Sequence, residues 1–167
     1  APPVADLAVP LYRWDRVVLV PRGHALAALD RALTLADIAA FPLVSYESSR
    51  EPESSLRRAF VAAGHEPSLA VTARDADLIK TYVRAGFGVG ILAEMAITPE
   101  DADLVAIPAD GLLPACTTWL LLRRDRVLRD YTQALICRLQ PQLHPRDLRR
   151  AVEDGETLSL QPRHWRE

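Results

Sequence analysis

The stretch TARDADLIKTYVRAGFGVGIL, Thr72 to Leu92, joins a helix pattern, a run of glycines and a short apolar segment. Leu78, Ile79, Tyr82 and Val83 follow helical spacing and predict one apolar helix face. The glycines of GFGVG then stop the helix, and the apolar run after them predicts a buried strand. The stretch therefore predicts a helix followed by a strand, as in an α/β sheet.

The glycine run does not predict a nucleotide-binding site. A dinucleotide fingerprint places its glycines after a strand and before a helix, and here that order is reversed. The Gly-Lys-Ser/Thr sequence of a P-loop does not follow either. We therefore expect Gly86 to end the helix, and Gly88 and Gly90 to let the next strand pack closely.

Strands and helices alternate along the rest of the chain. Apolar, β-branched runs predict strands at residues 15–20, 42–46, 67–72, 88–97, 102–109 and 116–124. Helical spacing and capping residues predict helices at residues 33–41, 54–64 and 125–139, and a short helix near 145–154. This alternation predicts an α/β fold with a largely parallel sheet and covering helices.

Two polar loops follow strands of this predicted sheet. Ligands of such sheets bind beyond the carboxyl ends of the strands, beside helix N-termini. The segment ESSREPESS after Tyr46 and the turn 72–75 lie at that position. The sequence therefore places a candidate ligand site at these two loops.

Composition and charge exclude several functions. The formal net charge is −2, and a domain that binds DNA through its own surface usually has a basic excess. The Arg residues near the end are interleaved with acidic ones, which is typical of solvated helix faces. Cys116 and Cys137 lack metal-site spacing and are expected to be buried or half-buried thiols.

Targeting and catalytic signals are also missing from the sequence. No apolar run approaches the roughly 20 residues that span a bilayer, and no secretory signal is recognisable, so we expect a cytosolic chain without membrane contact. No catalytic motif occurs, and the four histidines are scattered. Asp75 and Asp77 suit the N-terminus of a helix better than an acid–base pair. We therefore predict no enzyme activity, catalytic residue, metal or cofactor.

The order of helix, glycine run and strand resembles the effector-binding domain of LysR-type transcriptional regulators. Three further segments resemble the family in the expected order: VLVPRGHALA, LTLADIAAFPLVSY and WLLLRRDRVLRDYTQALICRL. Ala25 replaces the proline that is usual in the first of them. Over residues 6–139 the chain is most similar to the CysB-like activators of the cysteine regulon, through LYRWDR, FPLVSY and TARDADLIKTYVRAGFGVGILAEMA.

The resemblance implies a periplasmic-binding-protein-like (type II) fold, with two α/β subdomains joined by two crossover strands. It assigns residues 1–10 to the end of a partial subdomain I and the first crossover, and 11–114 to effector-binding subdomain II. Residues 115–140 would be the second crossover and the return to subdomain I, and 141–167 a C-terminal extension. The helix-turn-helix, the linker helix and the first half of subdomain I would precede this chain, which would act in a dimer or tetramer.

The resemblance also implies a small effector, O-acetylserine, N-acetylserine or a sulfate-like anion, bound between the subdomains. Hydroxyls and backbone N–H groups at helix N-termini would hold such an anion. The candidate effector-binding residues are Trp14, Ser45, Ser48, Ser49, Glu51 and Thr72. For Ser45 and Thr72 a strand-end or capping role is the alternative, and for Trp14 a place in the core.

Glu51 departs from the CysB-like pattern, which has a ligand-binding threonine at about this position. A carboxylate facing an anion is repelled by about 1 kcal/mol in water and by more when partly desolvated. Either Arg50 compensates, or Glu51 points to solvent, or the effector differs, for example by offering an amine.

The sequence thus predicts the effector-sensing part of a LysR-type regulator of sulfur assimilation or cysteine biosynthesis, which controls DNA binding and transcription. The alternative is a solute-binding protein of the same fold that acts in transport.

Overall fold

The computed structural model describes residues 3–124 and 127–167. The chain divides into a larger unit, Asp15–Cys116, and a smaller unit that combines Ala1–Trp14 with Thr117–Glu167. The strands are β1 (Leu7–Trp14), β2 (Arg16–Pro21), β3 (Leu43–Tyr46), β4 (Leu69–Ala73), β5 (Val89–Ala93), β6 (Leu104–Pro108), β7 (Cys116–Leu122) and β8 (Arg163–His164). The α-helices are α1 (Leu35–Ala39), α2 (Ser55–Ala62), α3 (Ala76–Arg84), α4 (Asp130–Leu139) and α5 (Pro145–Glu153), and short 3₁₀ helices lie at Ala25–Ala28, Glu47–Arg50, Glu94–Ala96 and Pro99–Asp101.

The larger unit contains a five-stranded sheet in the order β4-β3-β5-β2-β6. β3 pairs in parallel with β4 and β5, whereas β2 pairs antiparallel with β5 and β6. β3, β4, β5 and β6 therefore run in one direction, and the sheet is largely parallel, as predicted. The sequence did not predict that the strand at 16–21 runs the opposite way inside this sheet, because an apolar run carries no information about its direction.

Helices cover both faces of this sheet. Along β2 the buried residues alternate between two cores, with Val18 and Val20 on one side and Val17 and Leu19 on the other. The first core also contains Ile38 of α1, Leu56 and Phe60 of α2, Leu43 and Ile91. The second contains Ile79 and Val83 of α3, Val44 and Leu92. A strand buried on both faces reads as a continuous apolar run, which explains the segment VVLV.

The glycine run has the structural role that the sequence predicts. Gly86 follows the end of α3 with φ of 79°, and its N–H donates to the Val83 carbonyl at 3.0 Å. A Cβ at Gly88 would lie 2.3 Å from the Pro42 carbonyl oxygen, and one at Gly90 would lie 2.8 Å from Val83 Cγ2. The close approach of β5 to its neighbours therefore requires glycine at both positions.

The smaller unit contains a three-stranded sheet in the order β7-β1-β8, with β1 and β8 parallel. Its core joins β1 to α4 and α5 through Leu7, Val9, Ile136, Leu143, Leu148, Ala151 and Val152. α5 confirms the predicted short helix, whereas α4 begins at Asp130, and residues 125 and 126 of the predicted helix lie outside the described residues.

Tyr131, Leu135 and Leu139 form an exposed stripe on α4. Among the described residues, no helix is both long and apolar enough to cross a membrane.

A buried ion pair holds α3 against the segment that precedes β6. Lys80 Nζ lies 2.8 Å from Asp101 Oδ2, and both side chains are only 6% exposed. Asp101 also accepts hydrogen bonds from the N–H and hydroxyl of Thr98 and from Arg84. Arg84 in turn donates to the carboxylate of Asp103. Burial alone would raise the pKa of Asp101, but the hydrogen bonds from Lys80, Thr98 and Arg84 outweigh it and hold the pKa well below its usual range.

We expect Asp101→Asn to lower the free energy of unfolding by about 3–5 kcal/mol, because Lys80 then keeps a buried charge without its close partner. Urea unfolding of the chain measures the loss. Asp103→Asn is the matched control. Because the Asp103 side chain is 55% exposed, this substitution should lower the free energy of unfolding much less. Equal losses in the two variants would contradict the buried pair as the anchor of α3.

The same pair predicts a dependence of stability on pH. The pKa of Asp101 is lower in the folded chain than the roughly 3.9 of an unfolded aspartate, so its contribution is present above about pH 4 and is lost as the pH falls further. The stability difference between the wild type and Asp101→Asn should therefore shrink between about pH 7 and about pH 3. A difference that stays constant over this range would contradict the assignment.

Candidate functional site

The carboxyl ends of β3, β4 and β5 meet at one edge of the five-stranded sheet, which we call the carboxyl edge of the larger unit. Strand register places Ser45 beside Thr72 there, and Arg16 beside Ala93. β2 begins at this edge because it runs antiparallel to β5. The edge therefore collects polar residues from both predicted loops and also from the start of β2.

Ser45 and Ser49 form a buried hydroxyl pair at this edge. Ser45 is 1% exposed and Ser49 is 7% exposed. Ser45 Oγ donates to the Ile91 carbonyl at 2.9 Å and lies 2.9 Å from Ser49 Oγ. Because a hydroxyl has one proton, Ser49 must be the donor to Ser45, and both protons are used within the protein. This geometry favours the strand-end role for Ser45 and fixes the Glu47–Arg50 helix to β3.

Arg50 and Thr72 form a second link, at the surface. Arg50 Nε donates to Thr72 Oγ1 at 2.9 Å, and this contact joins the helix Glu47–Arg50 to β4. The Thr72 oxygen accepts here, so its own proton stays available. Thr72 and Arg50 therefore present hydrogen-bond donors together at the carboxyl edge.

Ser48 and Glu51 are both exposed, in the loop between β3 and α2. The Glu51 N–H donates to the Ser48 carbonyl at 3.3 Å, and its own carbonyl accepts from the Ser54 N–H at 3.0 Å. Ser54 in turn caps α2 by accepting from the Arg57 N–H at 3.2 Å. Backbone contacts thus hold this loop, and the Glu51 side chain is exposed at its surface.

Arg16 is a cation at the carboxyl edge that the sequence did not identify. Its Nη2 donates to Ser55 Oγ at 2.7 Å and its Nη1 to the Pro114 carbonyl at 3.0 Å. It therefore joins the start of β2 to the start of α2. The direction of β2, which brings Arg16 to this edge, is the information that the sequence lacked.

Further ionisable groups surround these residues. Arg74 Nε lies 3.6 Å from Glu47 Oε1, and both side chains are largely exposed. Tyr46 is half-buried and its hydroxyl accepts from the Ala93 N–H at 3.2 Å. Burial raises the pKa of Tyr46, so its hydroxyl stays protonated at neutral pH. The edge therefore carries charges of both signs.

Trp14, the remaining candidate, belongs to the smaller unit. Its indole Nε1 donates to Thr118 Oγ1 of β7 at 3.1 Å, and the side chain is partly buried. The other five candidates all lie in the larger unit. The carboxyl edge therefore collects Ser45, Ser48, Ser49, Glu51 and Thr72.

Both thiols are half-buried, as the sequence predicts. Burial raises the pKa of Cys116, and likewise that of Cys137, which disfavours the reactive thiolate form. His24 and His144, in contrast, accept N–H hydrogen bonds at the starts of the helices Ala25–Ala28 and α5. These two histidines therefore have a helix-capping role.

This architecture defines a ligand-binding α/β domain of the type II periplasmic-binding-protein-like fold. The cofactor-binding domain of the Cbl transcriptional regulator superposes with a TM-score of 0.80 and 33% identity, over 87% of this chain and 64% of that chain. Residues 5–144 match the family described as LysR substrate binding domain, and the chain therefore belongs to that family. This family comprises effector-binding domains of transcription regulators and is not an enzyme family.

Two relatives extend the comparison to whole regulators. The HTH-type transcriptional regulator SsuR of Burkholderia cenocepacia is 40% identical over 140 residues, which cover 83% of this chain and 45% of that protein. The HTH-type transcriptional regulator CysB of Haemophilus influenzae is 40% identical over 150 residues, 90% of this chain and 45% of that protein. The chain thus spans about half the length of these relatives. They confirm the resemblance to CysB-like regulators and give no support to the transport alternative.

We expect Ser45→Ala to lower the free energy of unfolding by about 1–3 kcal/mol, because it leaves the Ile91 carbonyl and the Ser49 hydroxyl without a buried partner. Urea unfolding of the chain measures the change. Ser48→Ala removes an exposed hydroxyl from the same loop and should change stability by less than about 0.5 kcal/mol. If Ser45→Ala were as stable as Ser48→Ala, the buried pair would not hold the loop.

Proposed function

We propose that this chain is the effector-sensing part of a LysR-type transcription regulator. The family match over residues 5–144 is the observation that carries this proposal. DNA would be bound by a helix-turn-helix outside these 167 residues, in a cytoplasmic homo-oligomer, either a dimer or a tetramer. Residues 11–114 would form the effector-binding subdomain, residues 1–10 and 115–140 the crossovers with part of subdomain I, and 141–167 a C-terminal extension.

The effector in this proposal is a small metabolite of sulfur assimilation, O-acetylserine, N-acetylserine or a sulfate-like anion. The similarity to CysB and SsuR supports this class. So does the carboxyl edge, where Arg50 and Thr72 offer hydrogen-bond donors to an acceptor group. Edges of this kind are where ligands of α/β sheets bind.

Effector binding would control transcription by shifting a conformational equilibrium. A ligand shifts such an equilibrium only by its difference in affinity for the two states. Coupling between the effector site and the DNA site is reciprocal, so DNA of the target promoter should change effector affinity by the same factor.

The experiment uses the full-length protein encoded by the gene and the DNA upstream of the genes that it controls. We expect O-acetylserine, N-acetylserine or sulfate to change the affinity for this DNA by about 5- to 150-fold, measured by fluorescence anisotropy. The salt concentration must be fixed, because protein–DNA affinity falls steeply with salt. A protein that binds no DNA would contradict the proposal, and one whose DNA affinity responds to none of the three would contradict the proposed class of effector.

Glu51 gives a second test, which concerns the choice of effector. We expect Glu51→Thr to strengthen the binding of sulfate and N-acetylserine by about fivefold, because it removes a repulsion of about 1 kcal/mol in water. O-acetylserine carries an ammonium group and should gain less or lose affinity. Isothermal titration calorimetry on the full-length protein measures all three.

Glu53→Thr is the matched control for Glu51→Thr, since Glu53 is an exposed glutamate of the same loop. It should leave all three affinities nearly unchanged. Equal binding by the wild type and Glu51→Thr would show that Glu51 does not face the effector.

A further inference from the structure

The helix Glu47–Arg50 is attached to the sheet at two neighbouring points. Ser49 is bonded to Ser45 on β3, and Arg50 is bonded to Thr72 on β4. Ser45 and Thr72 are register partners in the parallel pair of β3 and β4. The position of the Arg50 guanidinium is therefore set by two strands and by a buried hydroxyl pair.

The hydrogen-bond capacity of Arg50 and Thr72 exceeds what the protein uses. Guanidinium carries five N–H donors and no acceptor, and only the Nε donor has a partner within residues 3–124 and 127–167. Thr72 accepts that bond, and its own O–H has no partner in the same described residues. Two kinds of donor, N–H and O–H, thus remain available side by side.

Arg50 differs in this respect from the two other arginines of the carboxyl edge. Arg16 donates to the Pro114 carbonyl and to Ser55, and Arg74 lies 3.6 Å from the Glu47 carboxylate. The single described partner of Arg50 is a neutral hydroxyl, which leaves its charge uncompensated by any contact in the described part of the chain. An arginine fork pairs strongly with oxyanions such as carboxylate and phosphate, and sulfate presents the same tetrahedral set of oxygens as phosphate.

We propose that Arg50 is the specificity-determining residue of the effector site, oriented by Thr72 to bind the oxyanion of the effector. The Nη groups of Arg50 donate to the oxyanion, and the Thr72 hydroxyl adds a further donor. Ser45 and Ser49 donate their protons within the protein, so they do not donate to the effector. Their role is to position the pair of Arg50 and Thr72. The inference rests on the proposed function and names the group of the effector that the carboxyl edge recognises.

The test measures binding of sulfate, N-acetylserine and N-acetylserine methyl ester to the full-length protein by isothermal titration calorimetry at constant ionic strength. Sulfate and N-acetylserine distinguish a tetrahedral oxyanion from a carboxylate, and the methyl ester lacks the anion. The wild type should bind at least one of the two anions. It should also bind N-acetylserine more tightly than its ester, because the Arg50 guanidinium forms charge-assisted hydrogen bonds with an anion.

Arg50→Gln should weaken anion binding by about 10- to 100-fold, because it removes a charge-assisted hydrogen bond. It should also abolish the preference for N-acetylserine over its ester, which a merely structural effect would leave unchanged. Arg50→Lys should recover part of the affinity, since it restores the charge without the planar fork. Thr72→Val should weaken anion binding and leave a residual preference for the anion.

Arg74→Gln is the matched control, because it removes an exposed arginine of the same edge. It should change the affinities by less than about threefold, and the urea midpoints of all variants should match the wild type.

If Arg50→Gln binds anions as tightly as the wild type, or loses affinity for the anion and the ester equally, the inference is wrong while the proposed function stands. If the wild type binds neither anion but its DNA affinity responds to another metabolite, the oxyanion class is wrong. A protein without any effector response fails the proposed function itself.

Discussion

The antiparallel pairing of β2 with both β5 and β6 is the constraint on which the rest of the larger unit depends. It places the run Val17–Val20 in the interior of the sheet, where alternate side chains fill the two cores. It also turns the start of β2 toward the carboxyl ends of β3, β4 and β5. Arg16 can therefore bond both Ser55 at the start of α2 and the Pro114 carbonyl. A parallel β2 would bring Arg16 to the opposite edge and leave this edge without that link.

Two kinds of polar contact stabilise the larger unit, and they have different consequences. The Lys80–Asp101 pair is buried, so it fixes α3 against the segment before β6 and leaves no group for a ligand. The Arg50–Thr72 contact is at the surface and uses only part of the available donors. A side chain held in place but incompletely bonded is suited to recognition, because little conformational entropy is lost when the ligand arrives. Burial thus separates the groups that hold the fold from those available for binding.

The sequence predicted the features that depend on local pattern. Helical spacing predicted α3, and the glycine run predicted that the strand after it packs closely, which the structure shows as close contacts with Pro42 and Val83. It also predicted the two loops of the carboxyl edge, because polar segments that follow apolar strands can be recognised from the sequence alone. Strand direction and pairing depend on contacts between distant residues, so the position of Arg16 could not be predicted. β8 is two residues long and carries no periodic signal at all.

The candidate site shows the same division at the level of single hydroxyls. Residue type alone makes Ser45, Ser49 and Thr72 equivalent donors, and all three are candidate effector-binding residues from the sequence. The structure distinguishes them, because Ser45 donates its proton to the Ile91 carbonyl and Ser49 donates its proton to Ser45, whereas Thr72 accepts from Arg50 and its own proton stays available. In a site built from hydroxyls, recognition would depend on neutral hydrogen bonds. A guanidinium at position 50 adds a permanent charge beside an exposed carboxylate at position 51. Under the proposed function, the charge distribution of the effector would therefore matter more than its hydroxyl or acetyl groups.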